Sequence, residues 1–205
     1  ANAWPKLDAK ATERVKTLFE NLGRHEAELT KKSEDELVTI GAGAAPYLIN
    51  KLVDFPNNVN DSLKRVLDAT TKSEHAALLA GFAREKRTAL RLWVVERLAT
   101  FALPEMAPVL DNAQKDKDKE IAFRGSLGLV ALGKKEPLET VLTRCAEEWA
   151  EVGELTMRIV VPGRRTELGT ALLKKVDGDD TKVRLAALRL LRVLGTKENA
   201  HGIAV

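Results

Sequence analysis

The feature that most constrains this chain is that it repeats itself. Gly41, Gly133 and Gly195 each close an apolar run, in "LVTIG", "LVALG" and "RVLG". Gly41 and Gly133 lie about three steps of 31 residues apart, and Gly133 and Gly195 two such steps. The steps between them predict further breaks near 71, 102 and 163. Glycine stands at only one of those, Gly163, so the repeat is degenerate.

Two further marks run in phase with the first. An apolar helix follows each break, with Leu18, Leu48, Leu79, Leu110, Leu142 and Leu172 in equivalent places. The polar stretches "VDFPNNVND", "REKRT", "DKDKE" and "DGDDTK" then supply Asp and Thr to cap a second helix. Each unit reads as helix, turn, helix, break. "TMRIVVPG" is the most β-prone segment, but its register makes it a helix ended by Pro162. In "TKVRLAALRLLRVLG", Val183, Ala186, Ala187, Leu190, Leu191, Val193 and Leu194 cover a wide arc. An amphipathic surface helix needs a stripe of only about 100°. A helix packed against its hairpin partner and both neighbouring units needs more, and stacking is what makes such a core continuous. The expected fold is all-α: an α-solenoid of about six helical hairpins, forming a single array over 1–205. The units end near 41, 71, 102, 133, 163 and 195. The closing "ENAHGIAV" reads as the opening of another helix, so the array is expected to be truncated there or to dock on a neighbour.

The bulk properties fit an ordered chain. Hydrophobic residues make up 44% of 205 and charged residues 31%, with 7 prolines. The net charge is +3, so only local clustering of cations would argue for nucleic acid. Cys145 is the only cysteine, which excludes an intrachain disulfide. No apolar run approaches the roughly 18 residues of a membrane span. The start "ANAW" suits the region left by a removed signal peptide. Location is therefore open between the cytoplasm and export.

These marks carry a family resemblance. Paired helices, the period, the Leu-Gly ends and "GDDTKVRLAALRLLRVLG" (178–195) resemble HEAT repeats, most of all the short bacterial variety named after phycobilisome lyases. "DKEIAFRGSLGLVALG" (118–133) and "IGAGAAPYLINKLVD" (40–54) match fairly, while 56–70 and 145–165 match poorly. The resemblance implies an architecture and says little about activity, because such arrays are usually scaffolds.

Chemistry is hard to find in the chain. His25, His75 and His201 fall in different units, with no second His or Cys at ligand spacing. HEAT-like hydroxylases gather several His-Glu pairs around iron, and this chain has one, at His25-Glu26. "DGDD" (177–180) lacks the glycine and glutamate spacing of a calcium loop and reads as a helix cap. Cys145 reads as a packed thiol. No nucleophile elbow, phosphate loop or dinucleotide fingerprint is present. The expectation is a chain that is not an enzyme, with no catalytic residue, metal or cofactor.

Charge gives the one pointed expectation. Lys182, Arg184, Arg189 and Arg192 collect opposite the apolar arc of their helix, and Arg91 and Arg124 stand in second helices of earlier units. Second helices commonly line the concave face of such arrays. Arg91, Arg124, Arg184, Arg189 and Arg192 are therefore the candidate binding residues of a basic ridge for a protein partner. The chain is expected to be a non-catalytic scaffold or a structural subunit of a larger assembly. The alternative is a nucleic-acid-binding module, one form of which is the HEAT-like glycosylase type, with Trp93 as its one central aromatic. Aromatic residues are only 4% of the chain, and Trp93 reads as core. A chromophore lyase or its chaperone is a third reading, and it comes from the family name alone.

Overall fold

The structure, a computed structural model, describes residues 3–54, 57–163 and 166–194. Arg164, Arg165, Gly195, His201 and the closing "ENAHGIAV" lie outside the described residues. Every regular element among the described residues is helical. The chain packs as two compact units, 1–97 and 98–205, with the division inside one helix.

The first unit contains α1 (Ala9–Leu22), α2 (Ala27–Ile40), α3 (Ala45–Ile49), α4 (Asn58–Thr70), α5 (Ala76–Ala80) and most of α6 (Thr88–Phe101). Helix starts follow the side chains that satisfy free N–H groups. The Asp8 carboxylate accepts from the Ala11 N–H at 2.7 Å and opens α1. The Asn57 amide oxygen accepts from the Asn60 N–H at 2.8 Å and opens α4. Asp54, from the preceding hairpin, accepts from the Ala89 N–H at 2.9 Å and so caps α6 from a distance. On α4 the buried side chains Asn60, Leu63, Val66, Leu67 and Thr70 form one stripe at helical spacing. Asn60 earns its place in that stripe by bonding both the N–H and the carbonyl of Val53.

The second unit contains α7 (Ala107–Ala113), α8 (Lys119–Ala131), α9 (Leu138–Val160), α10 (Thr166–Val176) and α11 (Thr181–Leu194). α8 packs against both α7 and α9, and Gly125 through Ala131 are all buried in it. This is the wide arc that a sandwiched second helix requires. Asp118 caps α8 through the Glu120 and Ile121 N–H groups, and Asp180 caps α11 through Lys182 and Val183. A cap of this kind contributes about 1 kcal/mol.

Three of the breaks between units use a residue at positive φ, while the break after α4 is extended at Thr71 (φ −89°). Gly41 (φ 80°) ends α2 and Gly133 (φ 84°) follows α8, where glycine has no Cβ to clash. After α6 the same job falls to Ala102, at φ 49°.

The sequence predicts a polar turn between the two helices of the fifth hairpin. The structure has a kink inside α9 instead, at Glu148 (φ −125°, ψ 35°). Cys145 Sγ lies 3.5 Å from Thr156 Oγ1, eleven residues on. In a straight helix those residues would sit about 16 Å apart along the axis. One residue has therefore folded the two arms together. The "TMRIVVPG" segment is helical to Val160 and ends in a 3₁₀ turn, Val161–Gly163. Val193, placed in the apolar arc from sequence, is 37% exposed.

Candidate functional site

The five arginines of the expected basic ridge have different surroundings in the structure. Arg91, on α6, donates from Nη1 to the carbonyls of Glu85 and Lys86, at 3.0 and 3.2 Å. Arg124, on α8, donates from Nη1 to the Glu120 carbonyl at 3.1 Å and carboxylate at 2.9 Å. Both hold the start of their own helix. Arg184, Arg189 and Arg192 share α11. Arg184 and Arg192 are exposed. Arg189 is half-buried, with its guanidinium 4.8 Å from the centre of the Trp149 ring.

α11 is unusual in charge. Between Thr181 and Leu194 it carries Lys182 and these three arginines and no carboxylate. Apolar side chains interleave with the cations: Leu185 is 47% exposed and Val193 37%. Leu185, Arg189 and Arg192 recur at i, i+4 and i+7, which places them on one face. The opposite face, Ala186, Ala187, Leu190, Leu191 and Leu194, is buried.

Arg144 and Lys175, elsewhere in the second unit, are occupied. Arg144 reaches the Glu120 carboxylate, bonds Glu148 at 2.9 Å and lies 4.6 Å over the Phe123 ring. Burial would raise the Glu120 carboxyl, but hydrogen bonds from Arg144 and Arg124 outweigh it and hold Glu120 below the usual range. Lys175 pairs with Glu139.

The catalytic candidates resolve into structural roles. His75 is buried, its Nδ1 accepts the Lys72 N–H at 3.0 Å, and Trp4 stacks on its ring. His25 is exposed in the α1–α2 turn at φ 54°. Trp93 is 4% exposed and donates to the Asp68 carboxylate at 2.9 Å, which makes it a core residue rather than a cleft aromatic. Cys145 is buried, and desolvation pushes its thiol up. No group of three or more His, Cys, Asp or Glu side chains among the described residues could hold a metal. No helix among them is long and apolar enough to cross a membrane.

A groove of about 990 Å³ opens in the first unit between α2, the start of α4 and the turn after α1. His25, Lys31, Glu34, Asp35, Asp61 and Arg65 are among its lining residues. Glu34 and Arg65 are spent on each other there.

Polar ties between successive hairpins carry no local signature in the sequence. Arg65 is bidentate to Glu34, at 2.6 and 3.2 Å, over 31 residues. Arg97 Nη2 donates to the carbonyls of Thr71 and Asp68, at 2.8 and 3.1 Å, closing the end of α4. Arg87 does the same for the carbonyls of Asn50 and Leu52. A search for opposite charges one period apart would have found the first of these.

No family model matches the chain, and no curated relative does. One similar solved structure is the complex of CpcE and CpcF of phycocyanin lyase from Nostoc sp. PCC7120. The identity is 20%, the TM-score 0.42, and the match covers 73% of this chain and 97% of that one. The likeness is one of fold. It corrects one expectation from the sequence, that the chain is not an enzyme: the structure it resembles is that of a lyase, so the non-catalytic assignment is withdrawn.

Proposed function

We propose that this chain is a protein-binding helical-repeat protein of the HEAT type, a single array over 1–205 that serves as a scaffold or subunit of a larger assembly. The observation that carries the reading is the outer face of α11. It presents exposed Arg192 beside exposed Leu185, with exposed Arg184 and Val193 on its two flanks, on a helix with no carboxylate. Cations alone would serve phosphates as well as carboxylates. The interleaved Leu185 and Val193 favour a protein, because apolar area adds to binding only when a partner covers it. The partner surface is therefore acidic with apolar residues between the charges. In this reading Arg184, Arg189 and Arg192 make the contacts, and Arg91 and Arg124 keep their structural bonds.

The test is fluorescence anisotropy with two probes, an acidic amphipathic helical peptide and a random DNA duplex, across a salt series. We expect the peptide to bind and the Arg184→Glu/Arg192→Glu variant to lose at least tenfold in affinity. Both arginines are exposed, so its melting temperature should stay where it is. DNA binding that weakens steeply with salt, with no peptide binding, would replace this reading by the nucleic-acid one.

A further inference from the structure

Residues 4–7 lie along the breaks of the first unit as a strap outside any helix. Leu7 sits on the break after α2. A Cβ placed on Gly43 would come within 2.6 Å of Leu7 Cδ2 and 3.1 Å of the Pro5 carbonyl oxygen. Trp4 sits on the next break, its ring stacked on His75 with centroids 5.1 Å apart and planes 12° from parallel. The strap thus runs backward along the repeat order and drops one apolar side chain into each break.

The register has a simple physical origin. Three extended residues span about 10 Å, and packed helices stand about 8–10 Å apart. An extended chain with apolar side chains three apart therefore matches the spacing of successive units. The receiving surface is built for it. Gly43 leaves room for the strap backbone, and His75 is held flat by accepting the Lys72 N–H. Pro5 stiffens the segment between the two anchors. Among the described residues no hydrogen bond ties the backbone of residues 4–7 to the breaks. Trp4 and Leu7 supply its apolar contacts, and among the described residues it can leave without breaking a ladder.

We propose that the row of breaks over Gly43 and His75 is a peptide-binding groove, occupied in this structure by the chain's own residues 4–7. Its partner is an extended peptide segment with an aromatic residue three positions before a leucine, the pattern Trp4-Pro5-Lys6-Leu7 displays. The attached strap acts as a tethered competitor at high effective concentration. The groove is distinct from the α11 face and does not depend on it.

The probe is the fluorescein-labelled octapeptide of residues 1–8, added to the full chain. Wild type should bind it at least tenfold more weakly than the Trp4→Ala/Leu7→Ala variant, whose groove is vacated. Adding Gly43→Val to that variant should cost at least tenfold in peptide affinity, since the side chain fills the cradle. A folded double variant that binds no more tightly than wild type would overturn the proposal, and so would binding indifferent to Gly43→Val. Tryptic cleavage after Lys6 gives a second readout that keeps the strap sequence intact. Gly43→Val alone should speed that cleavage at least tenfold, and an unchanged rate would show that the strap does not lie in the groove.

Discussion

Glu34 and Arg65 occupy the same place in consecutive hairpins, 31 residues apart, and meet in a two-pronged ion pair between α2 and α4. The Glu34 side chain is 16% exposed and that of Arg65 59%, so the pair is partly shielded from water. A double-mutant cycle with Glu34→Gln and Arg65→Met should give a coupling of roughly 0.5–1 kcal/mol, the upper part of the range for surface pairs. Chemical denaturation reads it. A coupling indistinguishable from zero at low salt would mean the pair decorates the interface without holding it.

Acid should loosen the chain through the same carboxyls. Burial would raise Glu34, but hydrogen bonds from Arg65 and Ser62 outweigh it and leave Glu34 below its ordinary value. Glu120 is lowered in the same way by Arg144 and Arg124. A carboxyl more acidic in the folded than in the unfolded chain adds stability above its unfolded pKa. That stability is lost as pH falls through the folded value. The melting temperature should therefore drop below about pH 5. In Glu34→Gln/Glu120→Gln the drop should be shallower, although the variant starts lower at neutral pH. Parallel curves for the two proteins would contradict the assignment.

Ala102 stores backbone strain. At φ 49° it takes the positive φ that Gly41 and Gly133 take elsewhere. A residue with a Cβ in that region costs roughly 1 kcal/mol. Ala102→Gly should raise unfolding free energy by about that amount, less the added flexibility of the unfolded chain. Urea denaturation decides it, and a clear loss of stability would mean the Ala102 methyl packs more than it strains.

Cys145 should be silent toward thiol reagents in the native protein. It is fully buried between the arms of α9, and burial disfavours the thiolate. Reaction with a disulfide reagent at neutral pH should follow the rate of unfolding, and rise sharply in denaturant. Fast labelling of the folded chain would show that the arms of α9 open on their own.

Much of the fold was legible because its signals are local. Leu48, Leu79, Leu110 and Leu142 mark apolar helices by spacing alone, and Asp118 and Asp180 announce the helices they cap. The capping role of the "DGDD" stretch needed no tertiary knowledge, since Asp180 bonds N–H groups two and three residues away. The kink at Glu148 was not legible. No Gly, Pro or Asn stands at Glu148; Arg144 holds that residue from one turn earlier in α9, and Arg189 comes from α11 to lie over Trp149. Val193 counts as core on a helical wheel, yet its side is the one left uncovered.

The candidate site was half legible. That α11 is cationic is a matter of composition, readable from four residues and the absence of any carboxylate. Which arginines remain for a partner is not, because a guanidinium is spent or spare according to what lies within 3 Å of it. Arg91 and Arg184 look alike in the sequence, and one of them bonds two carbonyls while the other faces solvent.

Local pattern makes the chain helical and sets where most of its helices begin and end, because caps and apolar spacing act within a few residues. Tertiary structure decided how charges, rings and the strap of residues 4–7 are shared between hairpins. Those pairings join residues tens of positions apart, and no local pattern specifies a neighbour that only packing brings close.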